Sequence, residues 1–266
     1  MALRQQGSRV CWLAVKSGSQ ESATRLLGIQ KTEVMGKGEG FAVATQSAEI
    51  ERIFITPAHE GWVLLYGRAI QNMLATKSVE VLEKLVSDMG LLFGSACLFA
   101  IHETKGLNCW IFAEDGQLRR SFYRSASGKV LAHRGAISES EIDIRKELVM
   151  IGLPKAVCES STSTPEDEEV GKINEEACGW FATESQVFSI AEARSIAPFW
   201  FDGKPTEADF LVGHLDYTRL ENHLSQAVTA PARPGVSGEM VTTGFAVVAG
   251  VVILKVIKEV FFSVPL

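Results

Sequence analysis

The chain lacks the marks of the commonest chemistries. It has no C-x-x-C spacing: its five cysteines, Cys11, Cys97, Cys109, Cys158 and Cys178, are scattered and odd in number. That argues against a zinc site or a thioredoxin-like motif. Cys11, Cys97 and Cys109 lie in apolar, strand-like runs and read as buried thiols that behave as small hydrophobes. There is no G-x-S-x-G nucleophile elbow. A basic excess is missing too. Lys and Arg number 26 against 32 Asp and Glu, a formal charge of −6. With no zinc-finger, homeodomain or helix-turn-helix signature, no nucleic-acid partner is expected. The polar N-terminal segment has no apolar signal-peptide core, so the body is expected in the cytoplasm.

Charge is also absent between Glu239 and Lys255, and Gly244 to Leu254 is unbroken apolar sequence. Ahead of it, residues 230–238 (Ala-Pro-Ala-Arg-Pro-Gly-Val-Ser-Gly) read as a linker. A spanning helix needs about 20 apolar residues, more than Met240 to Leu254 supplies. Extension to Leu266 gives the length but admits Lys255, Lys258 and Glu259, and lysines near a helix end can reach the headgroups. The membrane-contacting positions are then Gly244, Phe245, Val248, Val251, Val252, Leu254, Lys255 and Lys258. The competing reading is a helix packed on the body or in a partner's groove. Gly244 and Gly250 do not have the spacing of a G-x-x-x-G pair, so helix dimerisation has no support.

The body reads as α+β. An apolar fraction of 46% allows a sizeable core. Val10 to Val15 is a run of β-formers, and Ser19 to Ser22 opens a helix ended by Gly28. Gly36 to Gly40 reads as a glycine-rich turn, with strands at Phe41–Ala44 and Ile50–Thr56. A second strand–helix–strand unit loosely echoes the first. It has a strand at Gly61–Gly67, then an amphipathic helix from Ser78 to Gly90 with Val79, Leu82, Leu85, Val86 and Met89 as its stripe. Strands follow at Ala96–His102, Asn108–Ala113 and Gln117–Tyr123, the last two joined by a Glu114-Asp115-Gly116 hairpin signal. The pattern predicts antiparallel sheet with helices on one face. Ser138-x-x-Glu141 is a capping box opening a helix towards Gly152. Thr164-Pro165 opens another, whose acidic run Glu166–Glu169 offsets the helix dipole without needing a metal. Ala182 to Gly203 reads as short helices and Asp209 to Val228 as one more. The expected organisation is an α+β sheet domain (1–136), a helical part packed on it (137–229), a linker (230–238) and an apolar C-terminal helix (239–266).

Three stretches carry a resemblance: Ile53 to Pro57 with Gly61 to Gly67, Glu114 to Tyr123, and Pro165 to Val170 leading into Cys178-Gly179-Trp180. Together, over about residues 50–185, they resemble a loose group of uncharacterised bacterial α+β proteins of suspected immunity type, partners of secreted toxins. The resemblance implies a protein partner and carries no catalytic residue.

Candidate sites are few. A hydrolase would have to use Ser95 or Cys97 with His102 or His133, and the five histidines, His59, His102, His133, His214 and His223, are far apart in sequence. Gly36 to Gly40 fits neither a Walker loop nor a dinucleotide fingerprint. Acid pairs such as Glu175-Glu176 lie on one helix face and do not oppose one another across a cleft. Trp180, Phe181, Phe199, Trp200 and Phe201 read as core. The basic cluster Arg119, Arg120, Arg124, Lys129 and Arg134 is the candidate contact for a partner or for anionic headgroups, with His133 beside it. On a continuous strand Arg120 and Arg124 share a face. No cofactor and no metal is expected. The sequence therefore predicts a cytoplasmic body, associated with the inner membrane through its C-terminus, that works by binding another protein. The alternatives are a membrane-associated hydrolase acting on a lipid, and a subunit whose tail fills a groove in a larger assembly.

Overall fold

In the computed structural model the described residues are 9–102, 107–127, 129–143, 182–197 and 209–229. They form one antiparallel sheet of nine strands with helices against both faces. In chain order the elements are β1 (Arg9–Lys16), α1 (Gln20–Leu26), β2 (Gln30–Met35), α2 (Lys37–Gln46), β3 (Arg52–Ile55), β4 (Trp62–Tyr66), α3 (Arg68–Thr76) and α4 (Val79–Phe93). There follow β5 (Ser95–His102), β6 (Leu107–Glu114), β7 (Gln117–Arg124), β8 (Val130–Gly135), α5 (Glu184–Arg194), β9 (Phe210–His214) and α6 (Tyr217–Thr229). The strand order is β2-β9-β3-β4-β1-β5-β6-β7-β8. Both expected strand–helix–strand units thus share one sheet, with β1 between β4 and β5.

The period-2 geometry of a strand sends alternate side chains to opposite faces. Cys11, Leu13 and Val15 of β1 therefore meet α1, α3, α4 and α6 on one face. Trp12 and Ala14 meet α2 and α5 on the other. Helices cover both faces, not one as the pattern predicts. The unalternating run Cys11 to Val15 reflects this double burial.

The second face is aromatic. Cross-strand register places Phe54, Tyr66, Trp12, Phe99, Trp110, Phe122 and His133 in one row across β3, β4, β1, β5, β6, β7 and β8. Trp12 stacks on Phe99 with centroids 4.9 Å apart, Trp110 on Phe122 at 4.3 Å, and His133 stands edge-on to Phe122 at 6.0 Å. Phe188 of α5 closes over Trp12 at 5.6 Å. Such pairs add roughly 0.5–1.5 kcal/mol each beyond the area they bury.

Several local expectations hold. The Asp115-Gly116 turn has φ of 48° and 79°, both positive as a two-residue hairpin of this kind requires. Val79, Leu82, Leu85, Val86 and Met89 are all buried. That helix runs past Gly90, however, and stops at Gly94 (φ 80°). Gly90 is an interior position where the helix approaches Ala113 of β6, leaving a Cβ only 3.0 Å of room. The glycine-rich turn and following strand at residues 36–44 are instead α2. Gly40 and Ala44, one turn apart, are its buried positions, and Gly40 rests on Phe54 and Val212. The helix predicted over Asp209–Val228 divides into β9 and α6. β9 inserts between β2 and β3, so the sheet does not end at residue 136. Gly213 makes this possible: a Cβ there would lie 2.6 Å from Ile29 Cγ2. Strand β2 and helix α3 have no counterpart in the sequence reading.

The chain divides into two units, Met1–Val228 and Thr229–Leu266. The expected apolar C-terminal helix, the acidic run 166–169 and the aromatic group 180–201, apart from residues 182–197, lie outside the described residues. Among the described residues no helix is long and apolar enough to cross a membrane.

Trp12 is fully buried in the middle of the aromatic row. Trp12→Ala should lower stability by about 3–5 kcal/mol. Urea unfolding followed by circular dichroism measures it.

Candidate functional site

The five cations do not form one surface. Arg120 is 1% exposed, and so is Glu141, with which it pairs. Its Nε donates to Glu141 Oε1 and Oε2 at 3.1 and 3.0 Å, and its Nη2 to Oε2 at 2.7 Å. Nη1 donates to the carbonyls of Ser121 and Arg134, both at 3.0 Å. The register of β7 against β6 shifts between Phe112 and Ala113, leaving Arg119 as an extra residue. This bulge turns Arg120 onto the aromatic face, opposite Phe112. Glu141 reaches it from the capping box: Glu141 N donates to Ser138 Oγ at 3.3 Å, and Ser138 N donates to Glu141 Oε1 at 3.4 Å. One carboxylate thus caps a helix start and neutralises a buried guanidinium.

Arg124 is buried too, on the same aromatic face, opposite Asn108. Arg120 and Arg124 do share a face, but it is the covered one, so both leave the set of surface contacts. Arg119 (47% exposed) lies 3.4 Å from Glu114, and Arg134 (52% exposed) pairs with Glu83 of α4. Lys129 is exposed at the far end of β7, in the turn where Ser125 N donates to its carbonyl. At about 3.3 Å per residue it is roughly 20 Å or more from Arg119 along the hairpin. Each exposed arginine therefore faces a carboxylate of its own chain.

The catalytic candidates also stay apart. Ser95 and His102 are the two ends of β5, about 23 Å from each other at ~3.3 Å per residue. Cys97 faces the aromatic side, opposite to His102, and burial pushes its thiol far above the usual range. His133 is three strands from β5. A thiol held protonated at neutral pH is a poor nucleophile.

A cleft of about 310 Å³ does bring functional groups together. It opens on the α4 side at one end of the sheet, beneath the end of α3. Cys11, Ala100, His102, Leu107 and Tyr123 line its floor and wall, and Leu74 its roof. Tyr123 Oη donates to the Leu74 carbonyl at 3.4 Å. The sequence reading singled out His102 but not Cys11 or Tyr123 for this side. The available signal was the small residues Cys11 and Ala100, but only the register places them opposite one another. A second cleft, about 280 Å³ and mostly polar, lies where Lys77 sits 3.8 Å over the Tyr217 ring. Among the described residues no group of three His, Cys, Asp or Glu is placed to hold a metal ion.

No family model, curated protein or solved structure matches this chain.

A further surface feature is β2, one of the two outer strands. Among the described residues it pairs with β9 alone, and Gln30 to Val34 are exposed. Val34 is 63% exposed, the highest value among the exposed large apolar side chains described.

The Arg120–Glu141 pair is a stability element in this geometry. Arg120→Met leaves a buried carboxylate without its cation and should cost about 3–5 kcal/mol, while the double variant Arg120→Met/Glu141→Leu should recover most of that. Chemical denaturation of both variants checks the ordering.

Proposed function

We propose that this chain is a protein-binding module that works at a membrane, where it docks another protein along the β2 edge of its sheet. The observation that carries this is β2 itself: an outermost strand that, among the described residues, pairs on one side only and leaves Val34 exposed. A sheet edge presents unpaired N–H and C=O groups that a partner's extended segment can satisfy, while exposed side chains select it. Lys31 and Glu33 flank the edge with both signs, which favours recognition through backbone and Val34 over a net charge field. The membrane half of the proposal rests on the sequence of residues 239–266, held behind the 230–238 linker. Tethering raises the local concentration of the body near a membrane partner. Occlusion of the partner's working surface is the mode of action, and the resemblance over residues 50–185 gives it the form of an immunity or accessory protein of a toxin system.

Capture of the tagged full chain from its host's membranes tests both halves. Val34→Asp is expected to keep the far-UV spectrum and melting temperature and to reduce recovery of the principal partner by about tenfold or more. A chain ending at residue 229 should move from the membrane pellet to the supernatant. Unchanged partner yield with Val34→Asp overturns the docking edge. Continued pelleting of the shortened chain overturns the tether.

A further inference from the structure

We infer that the polar cleft between α3 and the start of α6 is a binding site for a free α-amino acid with an aliphatic side chain, a ligand that carries both charges and a small apolar part. The inference goes beyond the docking edge, since no residue of β2 lines this cleft.

Three segments build it. On α3, Ala69, Asn72 and Thr76 have helical spacing and share one face. Thr76 Oγ1 donates to the Asn72 carbonyl at 2.7 Å and leaves the Asn72 side-chain amide to the cleft. Lys77 then departs from the helix in an extended conformation (φ −101°, ψ 147°), its N donating to the Met73 carbonyl at 2.9 Å. That turn carries its Nζ over the Tyr217 ring, 3.8 Å from the centroid. The other two segments are residues 50–51, ahead of β3, and residues 215–218, which run from β9 into α6. Leu215 N donates to the Glu51 carbonyl at 2.8 Å and ties these two together. Asp216 caps α6, its Oδ1 accepting from Arg219 N at 3.2 Å.

The lining selects the ligand. Elsewhere cations of this chain meet a carboxylate, as Lys84 meets Asp88 and Arg134 meets Glu83. Among the described residues neither Lys77 nor Glu51 forms an ion pair, although both line the same cleft. The Tyr217 ring holds the Lys77 ammonium without neutralising it. Between these charges the cleft is also apolar: Ala69 and Leu215 are buried in its floor, and Ile50 stands 51% exposed in its wall. A ligand carboxylate takes the Lys77 Nζ and the Asn72 side-chain amide as donors. A ligand ammonium donates to Glu51, and an aliphatic side chain covers Ile50. A simple anion would instead meet the carboxylates of Glu51 and Asp216, and a simple amine would meet Lys77. A zwitterion alone matches both signs. The space of about 280 Å³ equals roughly nine water volumes, just below the usual range of ligand pockets and right for a small metabolite.

Equilibrium dialysis of the full chain against radiolabelled L-leucine tests the assignment. Isocaproate, which is leucine without its ammonium, and isoamylamine, which is leucine without its carboxylate, serve as competitors. Wild type should bind leucine at one saturable site with Kd below about 1 mM. Each competitor should displace it at least about tenfold more weakly than unlabelled leucine does. Lys77→Met and Glu51→Gln should each weaken leucine by about tenfold, the loss of one charge-assisted hydrogen bond. Both should keep the wild-type melting temperature, because neither side chain is buried. Absence of saturable binding by wild type overturns the site, and so does leucine binding that neither substitution changes. Displacement by isocaproate or by isoamylamine as strong as by leucine overturns the zwitterion and leaves a site for a single charge. Glu51→Gln decides the matter alone if Lys77→Met does not fold.

Discussion

The aromatic row from Phe54 to His133 is the interaction on which the rest of the structure depends. A strand slipped by one residue exchanges its faces. For β1 such a slip would carry Trp12 away from Phe99 and Tyr66 and drive it into the layer now filled by Leu13 and α4. The stacked rings therefore fix register across seven strands at once. They also require cover, because aromatic surface on this scale does not face water. α2 and α5 supply that cover, and α5 is pinned to the sheet by Asn108, whose amide exchanges two hydrogen bonds of 3.0 Å with the backbone of Ala182.

From that row follows the place of the buried charge. The β7 bulge at Arg119 turns Arg120 to the aromatic face, where only a charged, hydrogen-bonding partner makes its burial tolerable. Glu141 accepts directly from the Arg120 Nε and Nη2, the carbonyls of Ser121 and Arg134 accept from its Nη1, and Ser138 N and Oγ donate to Glu141 Oε1. The opposite face has a different character. Its rows are aliphatic and carry a step in side-chain size, from Leu13 and Leu98 to Cys11 and Ala100, and that step makes the cleft beneath Leu74. From the doubly covered centre to β2, which among the described residues pairs with β9 only, the sheet loses cover. Binding surfaces belong at the open end of such a gradient, because an interior strand has no backbone group left to offer.

Much of the local structure was legible in the sequence. Asp115-Gly116 announced its hairpin because few other residue pairs accept two positive φ angles. Ser138 and Glu141 announced a helix start by their spacing, though nothing local could show that Glu141 also holds Arg120. The misreadings share one cause, which is tertiary contact overriding local preference. Gly36 to Gly40 has poor helix propensity, about 1 kcal/mol per glycine. It is helical nonetheless, because Gly40 lets α2 lie directly on Phe54 and Val212. β9 is five residues long and pairs with β2 and β3, some 150 residues earlier or more, a contact no local pattern records. The basic cluster looked like a surface because parity along β7 tells which face a residue takes but not whether that face is covered. The cleft beneath Leu74 was illegible for a similar reason: cysteine and alanine on separate strands become a floor only when register sets them side by side.

Native-state hydrogen exchange of the full chain tests most directly the claim that stability is concentrated in the doubly covered centre and falls away towards β2. Amides of β1, β5 and β6 should exchange only through global unfolding, with the denaturant dependence of the whole molecule, while those of β2 exchange through small local openings. Equal protection of β1 and β2, or local exchange at Trp12 and Leu13, would contradict it.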